Sequence, residues 1–442
     1  MSKHVVAVKK YQAPFDSVRE TVELCDGLAK LPKGAKVVIK PNIVFWTTAV
    51  PFPKWGVITT SRVIEDIVKM LKDHGASEIT IVEGSVTMNP KESAPTSEHA
   101  FESLGYNELG RRYGVKAHSI FARPFEKVDL GDGVVLNFNT DIINCDFVVD
   151  IPVMKTHAQT LVSLGIKNLK GTIDVVSRRA CHSPDPQKDL HFWVARLSDK
   201  MPPLLNLIDG LYTAERGPSF DGRMHRSDLL VASTDIFSAD KVGSTLLGHQ
   251  PAEVPHLVHY AKNHGRPLDL SDVEVVGESD LSALAKPHEA VFPYTADGSL
   301  PLPMAKMGVT GLSYKKYDTT MCTYCSGING IVLSSIAMAW KGQPWDDVEV
   351  LTGKTMEPTP GKKHTILLGK CIYQAHKDNP NIQHMVAIKS CPPKPEQIVE
   401  ALHSVGVNVD ENIFKNANKM PGFFMNRYKD KPEFEEAHFQ VK

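Results

Sequence analysis

Short apolar runs alternate with longer amphipathic stretches along the first two thirds of the chain. Residues 36–40 and 78–82 are apolar runs of the length of buried strands, and polar residues or proline follow each of them. Between them, residues 62–74 place apolar side chains at helical spacing, and Gly75 follows. This succession predicts a βαβ unit.

The same alternation continues to about residue 276. We predict further strands at 147–151, 204–208, 229–232 and 272–276, and a hairpin at 127–138. Helices are predicted at 98–112 and 254–263, and a further helix is predicted to end at residue 247. Alternating strands and helices predict an α/β domain with a parallel sheet and right-handed crossovers, which we assign to residues 1–283.

The last third of the chain has a different pattern. Residues 284–307 contain four prolines and little periodicity, which predicts a linker. Beyond it, helices are predicted at 328–340, 371–378 and 395–405, with strands at 365–368 and 385–388. The sequence therefore predicts a smaller α/β domain over residues 308–442.

Polar side chains that suit an acidic ligand follow several of the predicted strands. Because ligands of open α/β sheets bind outside the carboxyl ends of the strands, we predict a cleft for a small anionic substrate there. The predicted substrate-binding residues are Lys40, Asn42, Lys155, Asn168, Lys170 and Asp209. The alternative is a solvated, lysine-bearing loop.

Four residues near these strand ends are candidates for catalysis. They are Glu83, His157, Lys167 and His182. A helix-capping or hydrogen-bonded structural carboxylate is the alternative for Glu83. His182 lies in the polar, proline-rich stretch 177–189, which predicts a surface loop, and with Cys181 and His191 it suits metal binding or proton transfer. Histidines scattered in this way are also common in purely structural roles.

Several motifs of this chain resemble one known family. PVMKTH followed by SLGIKNLKG, with VVIKPNIV, ITIVEGS, NLIDGLYTAERGPSFDG and ASTDIFSADKVGSTLLG, resembles the family called domain of unknown function 362 over about residues 37–249. The resemblance implies an α/β domain that is often joined to an iron-sulfur segment in anaerobes. In a looser way, His157 and Lys167 resemble a histidine and lysine pair of the nickel-dependent lactate racemase family, and this implies the fold alone.

Length, charge and composition limit the class of protein. The 442 residues are too many for one typical core. A net charge of -1 gives no overall attraction to nucleic acid or to an anionic membrane, so we predict neither as a partner. No apolar run reaches the roughly 18 to 20 residues that cross a bilayer, and no hydrophobic signal core begins the chain. These observations predict a cytoplasmic protein, in which seven cysteines are thiols or metal ligands rather than disulfides.

Four cysteines of the last third follow the order C-x2-C-x45-C-x19-C, as Cys322, Cys325, Cys371 and Cys391. The first two begin a predicted helix, whose N–H groups stabilise thiolates, and the other two follow predicted strands. Two single ligands from distant strand ends favour a [4Fe-4S] cluster, while tetrahedral zinc and unligated buried thiols are alternatives. We predict that Cys25 and Cys145 lie in the core, and Cys181 is a further candidate cluster ligand.

These features together predict an iron-sulfur enzyme that performs redox or lyase chemistry on a small anionic substrate. One alternative is a non-catalytic electron-transfer or assembly module, and another is a zinc-stabilised hydrolase or binding protein. A cluster also predicts an electron-transfer partner protein. The sequence leaves homo-oligomerisation open.

Overall fold

The computed structural model describes residues 3–87 and 89–442, which form two compact units. Unit 1 contains the chain up to residue 177 together with residues 191–291 and 421–442. Unit 2 contains residues 178–190 and 292–420. These boundaries differ from the predicted ones, because a short segment from the middle of the first domain belongs to unit 2 and the tail of the chain belongs to unit 1.

The strands and helices alternate as predicted along only part of the chain, because two groups of strands, within 147–163 and 204–233, have no helix among them. The strands are β1 (His4–Lys10), β2 (Lys36–Lys40), β3 (Glu78–Glu83), β4 (Lys116–Ser119), β5 (Phe125–Asp129), β6 (Val135–Asn139), β7 (Phe147–Asp150), β8 (Val153–His157), β9 (Leu161–Ser163), β10 (Leu204–Glu215), β11 (Arg223–Ser233), β12 (Val273–Gly277), β13 (Leu312–Tyr314), β14 (Val348–Leu351), β15 (His364–Leu368) and β16 (His384–Ile388). The α-helices are α1 (Asp16–Leu24), α2 (Ser61–His74), α3 (Ser93–Ser103), α4 (Tyr106–Tyr113), α5 (Thr140–Ile143), α6 (Gly165–Asn168), α7 (Val175–Ala180), α8 (Leu190–Val194), α9 (Ile236–Leu246), α10 (Pro255–His264), α11 (Leu281–Leu284), α12 (Leu302–Lys306), α13 (Thr323–Ala339), α14 (Lys370–His376), α15 (Pro395–His403), α16 (Glu411–Lys415) and α17 (Met420–Met425).

The large sheet of unit 1 is mostly parallel, as predicted. Its strand order is β12-β1-β11-β10-β7-β2-β3-β4, and β8 and β9 extend it from β10. From β2 the chain runs outward through β3 and β4 and then returns to β7 on the other side of β2. The carboxyl ends of β2 and β7 therefore form a topological switch point, where ligands of open α/β sheets bind.

Helix α2 shows how the local sequence forms this architecture. Its apolar positions Val63, Ile64, Ile67 and Leu71 are fully buried, which fixes the helix against the sheet. Gly75 adopts φ 99°, and its N–H donates to the carbonyl oxygens of Leu71 and Lys72, which ends the helix where the pattern predicted.

Three predicted elements of unit 1 differ from the structure. Strand β10 does not end at residue 208 but continues to Glu215 and forms a long antiparallel pair with β11. The predicted helix 98–112 is two helices, because Gly105 between them adopts φ 79°. Residues 284–291 of the predicted linker belong to unit 1, where the Glu289 N–H donates to the Glu215 carboxylate at 3.1 Å.

Unit 2 is built on a separate four-stranded parallel sheet. Its order is β13-β14-β15-β16, with Leu367 and Ile372 in its buried core. The rest of the predicted linker joins this unit through α12 and an isolated bridge between Tyr294 and Pro301. Within residues 3–87 and 89–442, no helix is long and apolar enough to cross a membrane.

Candidate functional site

A row of polar side chains crosses the sheet of unit 1 at the switch point. Sheet register places Lys40 of β2 opposite Asp150 of β7, and Asp150 opposite Asn206 of β10. All three are fully buried. Asp150 accepts hydrogen bonds from the Asn206 Nδ2 at 2.7 Å and from the Asn168 Nδ2 at 2.8 Å, so both carboxylate oxygens have partners.

Lys40 and Glu83 form a buried ion pair at the same edge. The Lys40 Nζ also donates to the Pro41 carbonyl oxygen at 2.6 Å and to the Asn168 Oδ1 at 3.3 Å. The second Glu83 oxygen accepts from the Gly84 N–H at 2.7 Å. The carboxylate of Glu83 is thus held on both sides.

Lys155 extends this network from β8. Its Nζ donates to the Asn42 Oδ1 at 2.6 Å and to the Val57 carbonyl oxygen at 2.8 Å, while the Asn42 Nδ2 donates to the Asn168 Oδ1 at 2.8 Å. Lys40, Asn42, Glu83, Asp150, Lys155, Asn168 and Asn206 form what we call the buried polar network. Asn168 is its centre, since it contacts Lys40, Asn42 and Asp150.

Burial changes the acid–base properties of this network. It lowers the pKa of Lys155 to about 7, and it raises the pKa of Asp150 to about 7 against the opposing effects of Lys40, Asn168 and Asn206. Groups whose pKa values are strongly displaced are common at functional sites.

Asp209 and Asp240 have anchoring contacts. Asp209, a predicted substrate-binding residue, accepts from the N–H of Thr60 at 2.7 Å and from that of Leu211 at 3.1 Å. Asp240 accepts from Gly165 and Ile166 at the start of α6. Burial raises the pKa of Asp209 to about 6 and that of Asp240 to about 8. Both carboxylates fix backbone that leads to the predicted site.

His157, Lys167 and Lys170 keep part of their surface exposed, unlike the buried polar network. His157 ends β8, Lys167 lies in α6, and Lys170 lies in the 3-10 helix that follows. In that helix Gly171 lies against the network, because a Cβ there would be 2.7 Å from the Lys40 Nζ and 3.3 Å from the Glu83 Oε2. The 3-10 helix that carries Lys170 thus packs against the buried polar network at Gly171.

His182 belongs to unit 2, and the predicted surface loop 177–189 is right only for its second half, where residues 184–187 are exposed. Cys181 is fully buried and His182 is 4% exposed. The His182 Nδ1 is 2.7 Å from the Thr319 carbonyl oxygen. The Lys354 Nζ donates to the carbonyl oxygens of Arg179 and His182, so this polar stretch is held by hydrogen bonds within unit 2.

Unit 2 also gathers the four cysteines of the C-x2-C-x45-C-x19-C pattern. Cys322 caps α13, Cys325 lies in its first turn, Cys371 is the second residue of α14, and Cys391 follows β16. A Cβ on Gly369 would be 3.5 Å from the Cys325 Sγ, so the turn before Cys371 lies against Cys325. The pKa of Cys325 is raised in part by Cys322, Cys371 and Cys391, which lie near it.

Cys322 and Cys325 share a hydrogen bond that makes one of them acidic. The Cys325 thiol donates to the Cys322 sulfur, and with the N–H groups of Tyr324 and Cys325 it lowers the pKa of Cys322 to about 5. The thiolate of Cys322 in turn raises the pKa of Cys325. Burial raises the pKa of Cys391, and the Arg179 guanidinium opposes that rise.

The cysteines outside this group have an ordinary environment. Burial raises the pKa values of Cys25 and Cys145 to about 12, so neither thiol is ionised at neutral pH. Cys25 is buried, as predicted, and Cys145 is partly buried. In the described part of the chain, no three His, Cys, Asp or Glu side chains converge closely enough to hold a single metal ion.

Sequence reasoning missed several residues of these sites. Asp150 carried a signal, since it interrupts an apolar strand. Asn206 carried none, because it lies within a strand and meets Asp150 only through the sheet order. Lys354 contacts Arg179 and His182, which lie 175 and 172 positions earlier in the chain, so no local pattern reveals the contact.

Comparison with known proteins agrees with the motif resemblance. The family model described as Domain of unknown function (DUF362) matches residues 37–245. A thylakoid-associated protein of Synechocystis sp. is 23% identical over 243 residues, which are 54% of this chain and 71% of that protein.

Two solved structures are similar to about half of this chain, at low TM-scores. The lactate racemase apoprotein from Thermoanaerobacterium thermosaccharolyticum has a TM-score of 0.34 and 16% identity, over 56% of this chain and 57% of that chain. A protein from Thermotoga maritima has a TM-score of 0.28 and 13% identity, over 54% of this chain and 60% of that chain. This chain spans less than two thirds of either structure, and likeness at these TM-scores carries no argument about function.

Proposed function

We propose that this chain, whose residues 37–245 match the DUF362 family model, is a cytoplasmic iron-sulfur protein that acts on a small anionic substrate. Cys322, Cys325, Cys371 and Cys391 would hold a [4Fe-4S] cluster in unit 2. The DUF362 domain would bind the substrate at its switch point for redox or lyase chemistry.

The gathering of the four cysteines carries this proposal. They come from the start of α13, from α14 and from the segment after β16. They lie near enough to one another that the other three raise the pKa of Cys325, and Cys322 and Cys371 raise that of Cys391. Thiolate ligands need stabilisation, and the acidic Cys322 at a helix amino terminus already has it. When bound, a cluster with four thiolate ligands supplies one-electron transfer.

The donor set suits a cluster better than a single zinc ion. Structural zinc sites usually take their cysteines as two short-spaced pairs. A [4Fe-4S] cluster separates its four ligands more widely. Single ligands from two separate strand ends, Cys371 and Cys391, fit this wider arrangement.

The partly exposed cations support an anionic substrate. Lys167 and Lys170 offer positive charge, and His157 offers an imidazole that can take up or release a proton. The buried polar network below them would fix the backbone of β8 and α6 rather than touch the substrate. Glu83 and Asp209 would act as support, since both have their oxygens occupied. Lys167 would hold the anion, and His157 would move a proton.

The mutual pairing of Lys40, Asn42 and Lys155 favours a second candidate function. Five of the six predicted substrate-binding residues are buried, and within this set Lys155 is held by Asn42 while Lys40 and Asn42 are held by Asn168. A non-catalytic module that transfers electrons to a partner protein needs no substrate site. Lysines that are held within the protein would therefore not impair its function.

Cysteine variants purified without oxygen test the cluster. Cys371→Ser should lose most of the iron and acid-labile sulfide, because it removes one ligand. The matched control is Cys145→Ser, whose thiol lies in unit 1 and is not ionised at neutral pH, and it should keep both. Equal iron and sulfide in the two variants would contradict the ligand assignment.

Calorimetric titration with inorganic phosphate and with a panel of small carboxylates tests the anion site. Lys167→Ala should weaken binding at least tenfold, while the exposed Lys262→Ala should bind like the unchanged protein. Cluster content should stay the same in both variants. If no probe binds, or if Lys167→Ala binds as the control does, the substrate site is wrong and the electron-transfer module becomes the better account.

A further inference from the structure

A row of hydrogen bonds joins two hydroxyl groups to a buried histidine in unit 1. The His288 Nε2 is 2.8 Å from the Thr213 Oγ1, and the Thr213 Oγ1 is 3.0 Å from the Ser227 Oγ. On the other side of the ring, the His288 Nδ1 is 2.6 Å from the Lys286 carbonyl oxygen. We call Ser227, Thr213 and His288 the Ser–Thr–His row, and all of it lies in unit 1.

The hydrogen bonds of this row run in one direction. A carbonyl oxygen only accepts, so the His288 Nδ1 carries a proton and donates it to the Lys286 carbonyl. Burial lowers the pKa of His288 and so keeps the ring neutral, and its Nε2 accepts from the Thr213 hydroxyl. The single hydroxyl proton of Thr213 is then used, and the Ser227 hydroxyl donates to the Thr213 oxygen. Each hydroxyl proton therefore points toward the His288 Nε2.

The pairing of β10 with β11 brings the two hydroxyl groups together. Thr213 lies opposite His225, and Ser227 follows His225 by two residues on the same face of β11. The register then shifts, because β11 has two residues, Ser227 and Asp228, where β10 has only Leu211. This is a β-bulge, in which Asp228 adopts φ 52°, and bulges are common beside active sites.

The row leads from a buried base to a hydroxyl group near the surface. His288 is 5% exposed and Thr213 is 1% exposed, whereas Ser227 is half-buried. Ser227 is therefore the outer hydroxyl, which a ligand reaches first. A serine hydroxyl becomes a nucleophile when a base accepts its proton.

We propose that Ser227 accepts an acyl group from an activated ester, while Thr213 and His288 relay its proton. The Ser227 Oγ forms a bond to the acyl carbon, and the bond from that carbon to the leaving oxygen breaks. The Ser227 proton passes to Thr213 as the Thr213 proton passes to the His288 Nε2, and His288 then gives a proton to the leaving oxygen. No electron is gained or lost. The inference goes beyond the proposed function and does not require the cluster.

Reaction of the purified protein with p-nitrophenyl acetate, followed by peptide mass spectrometry, tests this role. Ser227 should gain an acetyl group, and His288→Gln should slow that step by about a hundredfold, which is a usual contribution of a general base. His225→Gln is the matched control, because its ring lies 5.0 Å from that of His288 between centroids but outside the row. This variant should react like the unchanged protein.

Two variants of Thr213 separate a proton relay from packing. Thr213→Val keeps the shape of the side chain but removes the hydroxyl, so it should slow acetylation of Ser227 by about tenfold or more. Thr213→Ser keeps the hydroxyl and should react at close to the unchanged rate. A row that only stabilised the fold would leave the rates of these two variants equal.

The exposed Ser279 serves as an internal reference, since its acetylation should be the same in every variant. Acetylation of Ser227 no faster than that of Ser279 would overturn the inference, and so would equal rates at Ser227 in Thr213→Val and Thr213→Ser. If His288→Gln fails to fold, the two Thr213 variants decide. Absence of iron and sulfide from the unchanged protein would overturn the proposed function and leave this inference in place.

Discussion

At the residue scale, the buried polar network is the feature that most constrains this protein. Lys40, Glu83, Asp150 and Lys155 are buried ionisable groups, and each makes hydrogen bonds to its neighbours. Removing one partner from such a network leaves the others buried and unpaired, which costs more than the lost bond itself.

Asn168→Ala should therefore be strongly destabilising. The change deprives Lys40, Asn42 and Asp150 of a partner each, and we expect the free energy of unfolding to fall by about 2 to 4 kcal/mol. Urea denaturation followed by circular dichroism measures it. The control Asn107→Ala, on the exposed face of α4, should stay within about 0.5 kcal/mol, and an equally small loss for Asn168→Ala would contradict the network.

Lys155 should make stability depend on pH in the alkaline range. Burial lowers its pKa to about 7 in the folded chain, whereas the unfolded chain keeps the ordinary value of about 10.4. The folded state has its full stability above the unfolded pKa. This stability is lost as pH falls toward 7, because the lysine of the unfolded chain takes up a proton while the buried one does not. Between these values the free energy of unfolding should rise with pH by up to about 1.4 kcal/mol per unit.

Denaturation at pH 7, 8, 9 and 10 checks this dependence. The difference between the unchanged protein and Lys155→Met should grow with pH over this window. The difference from Lys262→Met, whose lysine is exposed, should stay flat. If the difference for Lys155→Met did not change with pH, burial would not lower the pKa of Lys155.

Residue patterns predicted where the polar groups lie but not what they contact. Pro41 ended the apolar run 36–40, which correctly placed Lys40 at a strand end. Its partner Glu83 is 43 positions away and its neighbour Asn168 is 128 positions away. Such pairs depend on which strands are adjacent, and one sequence does not contain that information.

At the element scale, close packing around two glycines holds α6 and the following 3-10 helix against the sheet. A Cβ on Gly165 would lie 2.4 Å from the Asn206 Nδ2 and 2.8 Å from the Ile236 Cγ1. Neither neighbour has room to move, because Asn206 is fully buried and Ile236 is 5% exposed. The position of Lys167 in α6 thus depends on a glycine two residues earlier.

Gly165→Ala should reduce the free energy of unfolding by about 1 to 3 kcal/mol, because overpacking displaces buried neighbours. Gly330→Ala is its control, since Gly330 lies inside α13 and a Cβ there meets nothing within 4 Å. That control should gain up to about 1 kcal/mol from helix propensity. A neutral Gly165→Ala would mean that α6 does not approach β10 as closely as described.

Elements with clear periodicity were predictable, and those set by tertiary contacts were not. Helix α2 was predicted at 62–74 and begins one residue earlier. Strand β10 was predicted to end before Asp209, since a polar residue after an apolar run usually marks a strand end. Asp209 is instead buried inside the strand, where it accepts hydrogen bonds from Thr60 and Leu211.

At the scale of the whole molecule, the chain order does not follow the compact units. The tail 421–442 belongs to unit 1, where Phe439 stacks near Tyr212 at 6.3 Å between ring centroids. The tail was assigned to the C-terminal domain because it follows that domain in sequence, although its polar character after Asn408 also allowed it to wrap over the other domain.

Two phenylalanines of this tail give a matched pair of variants. Phe439→Ala should cost about 3 to 5 kcal/mol, because it removes a ring that is 2% exposed. Phe423→Ala, whose ring is 72% exposed, should stay within about 0.5 kcal/mol. Equal stability of the two variants would show that the tail is not part of the core of unit 1.

The cluster in unit 2 is the central claim, and metal analysis of the unchanged protein tests it most directly. Protein purified without oxygen should contain about four iron and four sulfide per chain, with a broad visible band that bleaches on reduction. One zinc per chain, no sulfide and no colour would contradict the claim, and would make the four cysteines a structural site.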